Sequence, residues 1–333
     1  MSSPPHRTSD TMAIMLKHRV MFGALMYALL GGILCADAWL DEVRLVGTFW
    51  QPIFAQRHTP PPGLLMFAVV CVLVALAAVE LCSFFHTKGI KADRFTVVAA
   101  ALTGCAAMYL LPQSSLEVSG VALATAAVVI FVAAMVSYSW RHQRVQGAIA
   151  AAGVVVLALV YLGLAPGFFL SIRIQHSAWV VAGVIVVTKF GDSGAYFTGR
   201  LIGRHKLVPW LSPNKTWEGL FGALAASMLT AMAVAWVLNV TGQSGTWVPG
   251  QGSEAGHRAA HDLPIKAAAI AGLLLGLVGH LGDLVASLLK RDAGLKDSGR
   301  TIPGFGGLID VFDSPILAAP MAYWLLRLAQ PVG

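Results

Sequence analysis

Apolar and polar positions sort along this chain into long blocks, with little short-period alternation. Nine apolar stretches run roughly over 19–40, 64–85, 95–112, 117–140, 147–170, 177–199, 217–239, 265–289 and 307–328. A bilayer core takes about 20 apolar residues of helix, and backbone groups in lipid must pair within their own segment. The pattern therefore predicts an all-α fold: a polytopic helical membrane protein with about nine transmembrane helices.

Composition supports this. The 333 residues are 57% hydrophobic and only 12% charged, about half the charged share of a soluble domain. The cysteines (Cys35, Cys71, Cys82, Cys105) fall within the first three stretches without CxxC spacing. They read as small hydrophobes, neither disulfide nor metal ligands. The first 18 residues, MSSPPHRTSDTMAIMLKH, are polar and read as a disordered cytosolic tail. No small-residue cleavage site follows the first apolar run, which reads as a retained helix.

The basic residues give an orientation. With the N-terminus in the cytosol, 16 of the 23 Lys and Arg fall in cytosolic segments, as the positive-inside bias requires. The polar loops 200–216 and 290–306 then face the cytosol, where a soluble nucleotide could reach both. Nine spans leave the C-terminus outside.

Ionisable residues divide the chain near residue 175. Spans within 19–175 carry few at membrane depth, Glu80 being the main exception, and read as scaffold. The part over 176–333 holds Lys189, Asp192, Glu218, His280, Asp283, Asp310 and Asp313. Charges at that depth are costly and face a bundle interior or polar cavity, so this part reads as catalytic.

Three segments carry candidate chemistry. In PGFGGLIDVFDS, Asp310 and Asp313 are three apart, on one face of a helix, behind Gly306 and Gly307. Glycines there permit close approach to a ligand, and two carboxylates so close call for a proton or a cation. Mg²⁺ with phosphate completing its shell fits such hard oxygens; helix capping is the plainer alternative. In GHLGDLVASLLKR, Asp283, Ser287 and Lys290 share a stripe, and Arg291 and Lys296 add positive charge, although bases also anchor spans at the cytosolic side. In KFGDSGAYFTGRLIGRHKLVPWLSPNKTWEG, Asp192 precedes a run of bases. Ser212, Lys215 and Thr216 then lead into a helix with Glu218 in its first turn. That cluster reads equally as a phosphate cradle or an ordinary N-terminal cap.

These residues resemble the phosphatidate cytidylyltransferase (CDP-diacylglycerol synthase) family. One motif is Ser287-x-x-Lys290-Arg291-x4-Lys296-Asp297, followed by Pro303-Gly304-x-Gly306-Gly307-x-x-Asp310-x-x-Asp313. The other is Asp192-x-Gly194-Ala195-Tyr196 with Gly199-Arg200, Lys206-Leu207 and Ser212-Pro213-x-Lys215-Thr216-x-Glu218-Gly219. The resemblance covers about residues 190–314 and departs at two places: Phe305 stands where the family has histidine, and Val311 where it has arginine.

The resemblance implies Mg²⁺-dependent transfer of a cytidylyl group from CTP to phosphatidate, giving CDP-diacylglycerol and pyrophosphate. It implies Asp283, Asp310 and Asp313 as metal ligands and, with Lys290, as the catalytic set. Substrate-binding residues would be Asp192, Lys206, Ser212, Lys215, Thr216, Glu218, Ser287, Arg291, Lys296, Asp297, Gly306 and Gly307. The expected partners are CTP, phosphatidate and membrane lipids, with no nucleic acid; a homodimer is compatible with this set. The expected location is a bacterial cytoplasmic membrane, with the site on the cytosolic side. A CTP-dependent lipid-alcohol kinase, a secondary transporter and an inactive family member are the competing readings.

Overall fold

The structure is a computed structural model that describes residues 23, 25–26, 28–43, 59–111, 116–143, 145–248, 257–259, 262–295 and 306–329. The N-terminal tail falls outside these residues, as do Lys296, Asp297 and Phe305. Helices occupy the expected apolar stretches: α1 (Ala28–Leu40), α2 (Leu64–Thr87), α3 (Arg94–Leu110), α4 (Leu116–His142) and α5 (Ala148–Leu157). A π-helical turn (Ala158–Leu164) joins α5 to α6 (Ala165–Gln175), and α7 (Ala178–Ile202), α8 (Trp217–Val240), α9 (Ile265–Asp292) and α10 (Leu308–Ala329) follow. Six are long and apolar enough to cross a membrane among the described residues, counting Ala148–Gln175 as one; α1 and α3 are shorter. The protein is an all-α membrane protein.

Two antiparallel ribbons interrupt the helices. Strands β1 (Lys206–Val208) and β2 (Ser212–Thr216) pair with Lys206 opposite Thr216; β3 (Thr246–Val248) pairs with β4 (His257–Ala259). The first ribbon lies where the sequence suggested a cradle loop. Between two spans, a short ribbon satisfies backbone groups without any help from helical periodicity.

Small residues set the helix spacing, as expected where lipid supplies no hydrophobic drive between helices. A Cβ at Gly104 of α3 would lie 2.7 Å from the Leu159 carbonyl oxygen, and one at Gly282 of α9 would lie 2.5 Å from the Asp313 carbonyl oxygen. The π-helical turn is thus pressed against α3, and α9 crosses α10 at Asp313.

Buried charges tie distant segments together. Arg173 donates from Nε to Asp37 Oδ2 and from a terminal nitrogen to Asp41 Oδ2, each at 2.6 Å, while Asp37 Oδ1 accepts from the Met66 amide at 3.0 Å. Arg173 and Asp37 are each 1% exposed. Nearer the surface, the C-terminal ends of α2 and α9 are joined by Lys88–Asp292 at 2.5 Å and by the Thr87 hydroxyl donating to the Ala293 carbonyl at 3.3 Å.

Candidate active site

The central acids come from three helices and each has a distinct neighbour. On α7, Lys189 and Asp192 are one turn apart, and the Lys189 ammonium lies 3.1 Å from Asp192 Oδ2 and 3.9 Å from Asp313 Oδ1. On α10, the Ser314 hydroxyl lies between two carboxylates, 3.0 Å from Asp192 Oδ1 and 3.3 Å from Asp313 Oδ1. The Ser314 amide donates to Asp313 Oδ1 at 2.7 Å. On α9, Asp283 follows Gly282, where a Cβ would lie 2.5 Å from the Asp313 carbonyl oxygen. From β2, Lys215 places its ammonium 2.8 Å from Asp283 Oδ2 and 3.3 Å from the His280 carbonyl oxygen. The result is an arc, Lys189–Asp192–Ser314–Asp313–Asp283–Lys215, with three acids and two bases.

Local sequence explains why these groups meet. Gly282 removes the side chain that would hold α9 away from Asp313. Gly191 and Gly194 do the same where α7 faces Ser227 and Ala226 of α8. Asp313 itself is buried while Asp283 is more than a third exposed, so the arc runs from interior to accessible space. Asp192 lies about 15 Å and Asp283 about 14 Å along the axis from the C-terminal ends of α7 and α9, at 1.5 Å per residue.

Asp310 belongs to a second group. Its Oδ1 lies 2.5 Å from the Lys290 ammonium, and its Oδ2 accepts from the Gly307 amide at 3.2 Å. Gly306 takes φ +96°, a backbone conformation that favours glycine, and this turns the chain into α10. The expectation gathered Asp283, Asp310 and Asp313 on one cation. Among the described residues no three His, Cys, Asp or Glu side chains lie at metal-holding spacing. The physical reason is angular: residues three apart on a helix diverge by about 60°, enough for Lys290 to draw one carboxylate while α7 and α9 surround the other.

The remaining candidates are spread around this core. Thr216 is buried and caps α8, its hydroxyl oxygen accepting from the Gly219 amide at 3.1 Å. Glu218 accepts from the His205 amide at 3.2 Å and pairs with His205 Nδ1 at 2.6 Å. Both therefore have structural partners at the head of α8. Lys206 and Arg291 are exposed, Ser212 and Ser287 half-buried, and Val311 buried.

Three contributors escaped the sequence reading of the site. Lys189 and Glu80 were visible as charges at membrane depth, the one signal available for them. Ser314 had no signal beyond adjacency to Asp313. Glu80 of α2, 8% exposed, accepts from the Leu308 amide at 2.8 Å and the Ile309 amide at 3.4 Å.

Beside the arc is an apolar cavity of about 340 Å³, lined by residues including Leu30, Leu34, Val181, Leu308, Phe312 and Pro315. Phe312 and Pro315 flank Asp313 in sequence, so one turn of α10 touches both the charged and the greasy compartments.

The model of the cytidylyltransferase family matches residues 43–329. The chain is similar to the phosphatidate cytidylyltransferase of Bacillus subtilis (strain 168), 36% identical over 178 residues, 53% of this chain and 58% of the relative. It is 30% identical to the phosphatidate cytidylyltransferase of Staphylococcus haemolyticus (strain JCSC1435) over 264 residues, 79% of this chain and 89% of the relative. It is also similar to uncharacterized protein YnbB of Escherichia coli (strain K12), 36% over 155 residues, 46% of this chain and 45% of the relative. The chain thus spans only about half the length of the Bacillus and Escherichia relatives. With a match extending from before α2 to the end of α10, the chain belongs to the cytidylyltransferase family.

Proposed function

We propose that the protein transfers a cytidylyl group from CTP to phosphatidate, forming CDP-diacylglycerol and pyrophosphate for phospholipid synthesis. The observation that carries this reading is the arc Lys189–Asp192–Ser314–Asp313–Asp283–Lys215. It collects hard oxygen donors and phosphate-binding ammonium groups beside an apolar cavity, within a chain of this family.

In the reaction, a phosphate oxygen of the lipid attacks the α-phosphorus of CTP. The bond from that phosphorus to the bridging oxygen breaks, and pyrophosphate leaves with the electron pair. Such chemistry needs positioning and charge neutralisation more than covalent participation. Lys215 and Lys290 hold triphosphate oxygens, and Lys189 faces the α-phosphate. The acyl chains stay in the bilayer, one of them against the cavity bordered by Phe312 and Pro315.

The donor set fits Mg²⁺, which takes one or two carboxylates and completes its octahedron with substrate phosphates and water. Asp283 and Asp313, brought together where α9 meets α10 at Gly282, are such a pair, and Asp192 adjoins them through Ser314. Asp310 then holds Lys290 in place. When bound, the cation neutralises charge developing on the attacking and leaving oxygens.

We further infer nine spans with the N-terminus in the cytosol, the site on the cytosolic side of a bacterial cytoplasmic membrane, and no nucleic-acid partner. A homodimer is compatible with this arrangement. The test is incubation of purified protein with Mg²⁺, phosphatidate and CTP labelled at the α-phosphorus. Label entering the lipid fraction with release of pyrophosphate is the expected result; transfer of only the γ-phosphate would replace this reading with a lipid kinase.

A further inference from the structure

Tyr161 is 5% exposed, and its hydroxyl has no hydrogen-bond partner among the described residues. Buried hydroxyls in folded proteins nearly always have one, because leaving a donor unpaired costs free energy. The ring stands on the π-helical turn Ala158–Leu164, a rare conformation frequently found at functional sites. Gly104 locks that turn against α3 at the Leu159 carbonyl, so Tyr161 is held in position.

Its surroundings say what the hydroxyl could meet. Tyr161 belongs to one buried cluster with Ala286 of α9, between Asp283 and Lys290, and with Leu308 and Ile309 of α10, next to Asp310. It therefore shares the interior onto which the acids of α9 and α10 face. A tyrosine hydroxyl carries one proton to donate. A phosphate oxygen drawn in by Lys189, Lys215 or Lys290 is the acceptor this interior lacks.

We propose that the Tyr161 hydroxyl contacts substrate, donating a hydrogen bond to a phosphate oxygen bound between α9, α10 and the π-helical turn. The inference rests on the cytidylyl-transfer reading. Phosphate oxygens come from two sources there, the lipid phosphomonoester and the nucleotide triphosphate, and the kinetics separate them.

The experiment uses the full-length protein in lipid nanodiscs with Y161F, which deletes only the hydroxyl. Without substrates, the variant should unfold at the wild-type temperature or above, since no internal hydrogen bond is lost. Its kcat/KM should fall roughly tenfold or more, the value of a lost bond to a charged acceptor. If the contact is to the lipid, the loss appears when phosphatidate is varied and the KM for CTP is unchanged; if to the nucleotide, the reverse. Unchanged kinetics for both substrates in Y161F, beside an active wild type, would overturn this inference alone. So would a lowered unfolding temperature with equal loss toward both substrates, which marks a structural role. A wild type that makes no CDP-lipid overturns the underlying reading as well.

Discussion

The carboxylate of Glu80, two turns before the end of the chain's second helix, receives the backbone amide of Leu308 at 2.8 Å, across 228 residues of sequence. It caps a helix to which it does not belong. The first amides of any α-helix lack internal partners and carry partial positive charge, so a buried anion there both pairs them and fixes the helix start. That start carries Asp310 and Asp313. Glu80 is a positioning residue for both.

Replacing Glu80 with Ala should leave two buried amides unpaired and lower stability by about 2 kcal/mol or more. E80Q keeps an acceptor oxygen and should lose less. Thermal unfolding in detergent measures this order. In parallel, kcat for CDP-lipid formation should fall further in E80A than in E80Q, with the KM for CTP nearly constant. Equal behaviour of the two variants would remove the capping account.

Asp313 and Asp310 should separate in their effects. D313N removes a donor from the pair with Asp283 and should abolish label transfer at ordinary Mg²⁺. D310N should also suppress transfer, but through release of Lys290, so its KM for CTP should rise. Titrating Mg²⁺ against each variant distinguishes them: a displaced Mg²⁺ optimum belongs to D313N. A displaced optimum in D310N instead would return Asp310 to the cation.

Lys215 and Asp283 meet at 2.8 Å, so their effects should not add. K215A and D283A each should reduce kcat/KM strongly, and the double variant should be little worse than the poorer single one. Additive losses would show that the two act independently during turnover.

The Arg173–Asp37–Asp41 group lies away from the arc and should behave differently. R173A leaves Asp37 buried and unpaired, which costs about 3–5 kcal/mol. The expected outcome is a sharply lowered unfolding temperature. At low temperature, the fraction that remains folded should keep its wild-type KM values.

Acid should weaken one specific tie. Burial pushes the Asp93 carboxyl upward, but the Thr96 hydroxyl and amide and the Arg141 guanidinium outweigh it and hold it below the usual range. A depressed folded value means stability that is present above the ordinary carboxylate range, near pH 4, and lost as pH falls through the folded value. The stability gap between wild type and D93N should therefore be largest near neutrality and shrink in strong acid. Unfolding temperatures measured across that range check the sign.

The sequence was most informative where one physical constraint dominated. Lipid forces long apolar helices, so the blocks around α2, α7, α8 and α9 were plain. Asp192, Asp283 and Asp313 stood out because charge at membrane depth is costly. What could not be read was pairing. Nothing in the order of residues says that Lys215 turns to Asp283, or that Asp310 turns from Asp313 toward Lys290. Those choices depend on helix crossing set by Gly282 and on the ribbon leading to Lys215. Glu80 was visible as an oddity but its partner lay 228 residues away. A π-helical turn at Tyr161 leaves no mark in an apolar run.

The ribbon-borne Lys215 has a consequence for how a polyanion enters so greasy a protein. At rest it is already spoken for by Asp283, as Lys290 is by Asp310. An arriving magnesium nucleotide would bring both signs at once, so Asp283 could trade its ammonium for the ion while Lys215 trades its carboxylate for phosphate. Through that swap the hydrocarbon layer never has to host an uncompensated charge, and either component alone should bind far more weakly than the two together.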